Sequence, residues 1–285
     1  MLFKVSILVC WILLGCAQEK STEPMSRKAQ DNSDAIAEGD GSGEVNPPQQ
    51  EENAVHPKLL FHGGGGLTPS SMKDMSRASQ ALVSLGVAAS NIHIIRYPDT
   101  KNISDIKAAV SSQLQTIFSQ YPANTKFDSI GHSLGLLASF ISLAELGHLP
   151  KMRALIGVTG VLMRQDESAM PFGCRKGNTQ DLCGDIFDRV VGSTDSTYIL
   201  DLLSKNATEL SRIKKCSIWT TQDGILSPPN AGVFPNGISI EMPKSWCTAN
   251  PFLGKLNPNP CHLKSKDDPI IYQTMKEKCF AGDLK

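Results

Sequence analysis

The 285-residue chain has no charge of one sign in excess: 28 Lys and Arg stand against 28 Asp and Glu. Binding a phosphate backbone needs a surplus of basic side chains, so neutrality excludes nucleic acid as an expected partner. No apolar run approaches the ~20 residues that cross a bilayer; the N-terminal one covers only residues 5–14. The cysteines lack the C-x-x-C spacing of zinc sites, so no metal is expected. Internal repeats are also missing, which excludes solenoids and propellers.

What is present begins at the N-terminus. Residues 1–4 carry one positive charge, at Lys4, and are followed by the apolar run and then Gly15 and Cys16. That layout has the length of a signal-peptide core, and a generic signal or a short uncleaved anchor is its plainest reading. Leu13-Leu14-Gly15-Cys16 further resembles the bacterial lipobox. The resemblance implies that 1–16 is a lipoprotein signal peptide and that lipidated Cys16 holds the exported protein to a membrane. Ala17, rather than Asp, implies the outer membrane or cell surface in a Gram-negative source. Residues 17–56 are rich in polar residues and poor in large apolar ones. Such a segment buries too little surface to offset its ordering entropy, so a disordered tether is expected before a folded domain at 57–285.

Beyond Cys10 and Cys16 there are six cysteines: Cys174, Cys183, Cys216, Cys247, Cys261 and Cys279. An even number in an exported chain points to disulfides, though six allow fifteen pairings. Short loops favour Cys174–Cys183 and Cys247–Cys261, leaving Cys216–Cys279; buried free thiols are the alternative.

Along the domain, short apolar runs alternate with helical periodicity, the pattern of an α/β fold with a parallel sheet between helices. Strands are expected at 58–61, 91–96, 127–130, 153–158, 217–220 and 238–242. Ile103, Ile106, Val110, Leu114, Ile117 and Tyr121 recur at three- and four-residue steps, one face of a helix stopped by Pro122. Further helices are expected at 72–85, 134–146 and 269–278. Residues 161–215 show helical patches without a strong strand, which suits a cap or lid inserted after a central strand.

The chemistry centres on Gly131-His132-Ser133-Leu134-Gly135, a G-x-S-x-G pattern between an expected strand and an expected helix. A serine there sits on a tight, strained turn, and side chains two positions to either side would collide with neighbours. The following helix N-terminus offers a backbone N–H to a developing oxyanion. An ordinary glycine-rich turn is the plain alternative.

With Phe61-His62-Gly63-Gly64 upstream, the domain resembles the bacterial lipase and esterase branch of the α/β-hydrolases. The resemblance implies an α/β-hydrolase fold: a mostly parallel sheet, flanking helices, and a cap after the strand that follows the nucleophile helix. It implies Ser133 as nucleophile, with Leu134 and Gly64 supplying the oxyanion N–H groups. Because Gly63 to Gly66 are consecutive, Gly65 is a rival donor; the run fits neither the phosphate-loop nor the dinucleotide fingerprint.

The family order, serine then acid then histidine, implies Asp223 and His262. Asp223 lies in an Asp-Gly pair that is also a turn signal, and Asp195 reads as a helix cap. His262 falls in Pro260-Cys261-His262-Leu263, which resembles the family's last loop. Of the other histidines, His132 occupies the variable elbow position, His62 belongs to the glycine motif, and His93 lies in a strand. His56 and His148 sit at a tether end and a helix end.

Two stretches depart from the family. Thr159-Gly160-Val161-Leu162 replaces its pocket turn, and a cysteine-bearing insertion runs from 171 to 185. The expected activity is hydrolysis of lipid or medium-chain carboxylic esters without a cofactor. A thioesterase or other acyl hydrolase, and a non-catalytic surface lipoprotein, are the alternatives. No protein partner follows from the sequence.

Overall fold

The computed structural model describes residues 55–64, 74–98, 103–162, 197–223, 225–226, 229–247 and 260–284. Cys16, residues 17–54 of the expected tether, the Cys174–Cys183 pair, Gly65, Asp195 and residues 163–196 of the expected cap lie outside them.

Six strands form one sheet: β1 (Lys58–Phe61), β2 (Ile92–Ile95), β3 (Phe127–His132), β4 (Met152–Val158), β5 (Lys214–Trp219) and β6 (Ile238–Glu241). Their spatial order is β2-β1-β3-β4-β5-β6, and every pairing is parallel. Parallel neighbours need crossovers, and from β1 to β5 the helices supply them: α1 (Ser76–Ser84), α2 (Ile103–Phe118), α3 (Leu134–Glu145), α4 (Thr197–Lys205) and α5 (Ala207–Arg212). The chain closes with α6 (Pro260–Asp267), α7 (Pro269–Thr274) and a π-helical turn at Met275–Cys279.

Strand side chains alternate between two cores, as the pleat requires. Leu59, Phe61, Phe127 and Leu155 join Val110, Leu114, Phe140 and Ile141 of α2 and α3 on one face. Leu60, Ile130, Ile156 and Ile218 join Ala78 and Leu82 of α1 and Ile271 and Tyr272 of α7 on the other. The apolar stripe of α2 is buried as expected, from Ile103 through Ile117. Residues 197–212, expected in the cap, instead complete the main helical layer. Ile199, Leu202 and Leu210 are buried in the first core because their spacing gives α4 and α5 an apolar face of their own.

The chain steps from β1 outward to β2, then returns to place β3 on the other side of β1. This reversal makes a topological switch point at the C-terminal ends of β1 and β3, the position at which open α/β sheets bind ligands. At the opposite end of the sheet, Asp128 accepts from Lys58 Nζ at 2.8 Å and from Arg153 Nε and Nη2 at 2.9 and 2.6 Å. Lys58 and Asp128 are wholly buried. No helix among the described residues is long and apolar enough to cross a membrane.

Candidate active site

Ser133 lies between the end of β3 and the start of α3. Its φ of 53° and ψ of −128° lie where non-glycine residues are strained, and neighbouring backbone holds it there. Its N–H donates to Val158 O at 3.2 Å, and its carbonyl accepts from Val161 N at 3.0 Å. The flanking glycines are sterically required. A Cβ at Gly131 would lie 2.4 Å from Leu136 N, and one at Gly135 would lie 2.4 Å from Phe61 O. As the first residue of α3, Leu134 has an N–H that its own helix cannot satisfy.

Beyond β1, the glycine turn lies directly against the elbow. A Cβ on Gly63 would come within 2.9 Å of Ser133 Cβ, and Gly64 adopts a φ of 138°, which glycine tolerates. Two side chains brace this turn: His62, already placed in the glycine motif, and Tyr97, which the sequence did not single out. His62 Nδ1 donates to Gly63 O at 2.7 Å, and the Tyr97 ring stacks on His62 with centroids 4.0 Å apart. The Tyr97 hydroxyl also donates to the His62 carbonyl.

Asp223 follows β5 in a turn closed by its own N–H on Thr220 O at 3.1 Å. Its Oδ1 accepts from the backbone N–H groups of Ile225 and Leu226 at 3.0 and 2.8 Å. Oδ2 is thereby left for His262 Nδ1, 2.8 Å away, with both side chains wholly buried. The turn reading and the acid reading of Asp223 therefore describe one residue, each using a different oxygen.

His262 was expected in a loop; it lies instead in the first turn of α6. The helix escaped notice because its buried positions, Cys261, His262, Ser265 and Lys266, have helical spacing but are mostly polar. Its ring packs beside that of His132, centroids 4.9 Å apart. His262 Nε2 is buried and, among the described residues, makes no hydrogen bond, to Ser133 Oγ or to any other group. The structure thus pairs the expected acid with the expected base and sets the base's ring beside His132 of the serine's turn. The serine–histidine hydrogen bond is not formed.

Cys247 and Cys261 are bonded, as are Cys216 and Cys279. Thr159 to Leu162, where a family-type pocket turn was missing, pack tightly around the elbow. A Cβ on Gly160 would meet Leu136 Cδ2 at 2.6 Å, and one on Gly232 would meet Gly160 O at 2.2 Å. Among the described residues, no cluster of three His, Cys, Asp or Glu side chains is arranged to hold a metal ion.

No family model matches the chain, and no curated protein matches it in sequence. Solved structures match in shape. The mature form of Bacillus licheniformis lipase BlEst2 has a TM-score of 0.50 at 11% identity, covering 81% of this chain and 94% of the lipase. Its propeptide form has a TM-score of 0.53 at 11% identity, covering 81% of this chain and 52% of that one. The chain has the α/β-hydrolase fold. Legionella pneumophila phospholipase PlaB, with a TM-score of 0.45 and 15% identity, matches over 59% of this chain, which spans only 38% of that phospholipase. β1 leads to the glycine turn, β3 to the turn that carries Ser133, and β5 to the loop that carries Asp223.

Proposed function

We propose that the protein is a serine carboxylic ester hydrolase of the lipase or esterase kind, acting on lipid or medium-chain esters through an acyl-enzyme on Ser133. The observation that carries this reading is the buried 2.8 Å contact between Asp223 and His262 beside the strained Ser133 turn. A carboxylate on Nδ1 keeps the imidazole in the tautomer whose Nε2 accepts a proton.

The reaction then runs in two halves. His262 Nε2 removes the Ser133 hydroxyl proton as Oγ attacks the ester carbonyl carbon. The resulting oxyanion is held by the N–H groups of Leu134 and Gly64. The C–O bond to the alcohol breaks, and His262 returns the proton to the departing oxygen. Water, deprotonated by His262, repeats the attack on the acyl-serine and releases the acid. The open Nε2 is compatible with this route, since catalytic hydrogen bonds in ligand-free enzymes are often long and tighten with substrate.

Lipidation of Cys16 would place the enzyme at a membrane, close to lipid esters. Palmitate labelling in a bacterial host, lost in Cys16→Ala, tests that anchor. The activity is tested with p-nitrophenyl esters of increasing acyl length on the intact protein and on Ser133→Ala. Serine-dependent turnover supports the hydrolase, and the chain-length optimum separates lipase from short-chain esterase. Absence of turnover on oxygen esters with serine-dependent turnover on thioesters would move the substrate class. No turnover on either would favour a binding role.

A further inference from the structure

The backbone carbonyl of His262 carries contacts that the reaction described above does not use. His132 Nε2 lies 3.0 Å from this oxygen, and Ser265 Oγ lies 2.7 Å from it. A carbonyl only accepts, so both groups donate, and His132 is therefore the Nε2–H tautomer. Thr159 Oγ1 is 2.6 Å from Ser265 Oγ. Because the Ser265 proton is committed to the carbonyl, Thr159 is the donor in that pair. All four side chains are buried. Thr159 holds a φ of 40° despite its branched side chain, an arrangement that persists only where surroundings impose it. Its N–H is fixed on Ile218 O at 2.7 Å.

We propose that His132 and Thr159 are positioning residues, which lock the first turn of α6 to the ends of β3 and β4 and so hold the His262 imidazole between Asp223 and Ser133. The inference rests on the serine-hydrolase reading and deepens it. Helix α6 needs such a device because its buried face offers Cys261, Ser265 and Lys266 rather than an apolar stripe. Apolar packing is non-directional, whereas hydrogen bonds fix distance and angle. Asp223 restrains the ring at one atom only, and the Cys247–Cys261 disulfide and the Tyr272 hydroxyl on Lys266 O hold α6 on either side of His262; the clamp adds a restraint on the carbonyl of His262 itself. The two anchors come from strands that pair directly, Gly131 with Gly157 and His132 with Val158, so they move as one body.

Charge agrees with this role. Burial first, then the facing charges of His262, Lys266 and His62, keep His132 neutral. A neutral donor can hold the carbonyl without repelling the imidazolium that forms on His262 during turnover.

The test uses the full chain and two pairs of variants. His132→Phe removes the donor, while His132→Gln keeps an N–H near the position of Nε2. Thr159→Val removes the hydroxyl, while Thr159→Ser keeps it. Misplacing a catalytic group by an ångström costs about 100-fold. The Phe and Val variants are therefore expected to lose about 10- to 100-fold in kcat on a p-nitrophenyl ester, with KM within about twofold. Gln and Ser are expected to return kcat to within a few-fold of the parent. Wild-type kcat in the Phe and Val variants, or losses that Gln and Ser do not repair, overturns the proposal. The downfield proton resonance of His262 Nδ1–H is followed in the same proteins. If the parent hydrolyses no ester, the hydrolase reading fails and this resonance decides the positioning claim alone. Loss in Phe and Val with retention in Gln and Ser supports it; an unchanged signal in all four overturns it.

Discussion

Asp223 Oδ2 and His262 Nδ1 meet at 2.8 Å although 39 residues separate them in the chain, and neither side chain reaches solvent. Asp223 Oδ1 is meanwhile held by two backbone N–H groups. Asp223→Asn therefore has a clear expected geometry: its remaining carbonyl oxygen stays with Ile225 and Leu226, and its NH2 faces His262. The imidazole must then accept at Nδ1 and carry its proton on Nε2, the wrong tautomer for taking one from Ser133. We expect kcat to fall by roughly 10⁴-fold, with the thermal midpoint shifted by only a few degrees. Ester turnover beside a melting curve checks both halves; retention of kcat would remove Asp223 from the mechanism.

At the far end of the sheet, Asp128 neutralises two cations, one of which, Lys58, is entirely buried. Burial already pushes the Lys58 amine below its ordinary range, and the Asp128 carboxylate opposes that push. Asp128→Asn leaves Lys58 and Arg153 facing each other with only the exposed Asp283, 3.9 Å from Arg153 Nη1, as a nearby anion. Breaking a buried pair from one side costs about 3–5 kcal/mol, which urea unfolding would register directly. Replacing Lys58 by Met should cost less, because Asp128 keeps its two bonds from Arg153. Equal losses in the two variants would show that the cluster is not governed by uncompensated charge.

The parts of this molecule legible from sequence are those governed by local pattern. The period of Ile103 to Ile117 and the short apolar runs announced α2 and the strands because one face of each meets a core. The glycines at 131 and 135 were legible because their spacing is a local pattern, although the clash that requires Gly135 is with Phe61 O of β1. The carbonyl clamp on His262 was not. His132, Thr159 and Ser265 come from three elements, and nothing in their spacing shows that they converge. Helix α6 was unreadable for a related reason: polar side chains fill its buried face, so its hydrophobic period vanishes. Tyr97 behind His62 is a third contact of this long-range kind.

Histidine burial gives the protein an acid-sensitive stability with a definite sign. Desolvation, then the neighbouring His262, holds His132 well below the ordinary value of 6.5. His56, His93 and His148 are lowered too, burial being the largest cause in each. The unfolded chain therefore binds more protons than the folded one below 6.5, so stability rises with pH through that window. It should be level with respect to these groups above about pH 7 and fall as the pH drops through 6.5 and lower. Each strongly depressed histidine contributes a slope of up to about 1.4 kcal/mol per pH unit. Urea midpoints at pH 7.5 and 5.5 measure the fall, and His132→Gln should flatten it. An unchanged slope in that variant would assign the acid sensitivity to other groups.

The two observed disulfides should separate stability from activity. Cys216–Cys279 closes a separation of 63 residues and joins β5 to the π-helical turn at Met275–Cys279, with neither cysteine adjacent in sequence to Ser133, Asp223 or His262. Cys247–Cys261 closes only 14 residues, but Cys261 is the immediate neighbour of His262. Chain entropy alone gives the longer link about 4 kcal/mol and the shorter about 3. Trp246 and Lys264 add hydrogen bonds around the shorter link, Trp246 Nε1 to Asp268 at 3.1 Å and Lys264 Nζ to Trp246 O at 2.7 Å. Paired alanine substitutions at each link are thus expected to lower the melting temperature comparably. At a temperature where both variants remain folded, only loss of Cys247–Cys261 should lower kcat, because only that bond borders the base. The same result should follow from reduction verified by thiol titration. Full turnover in the reduced, folded protein would mean that the clamp from β3 and β4 holds His262 without help from the disulfide.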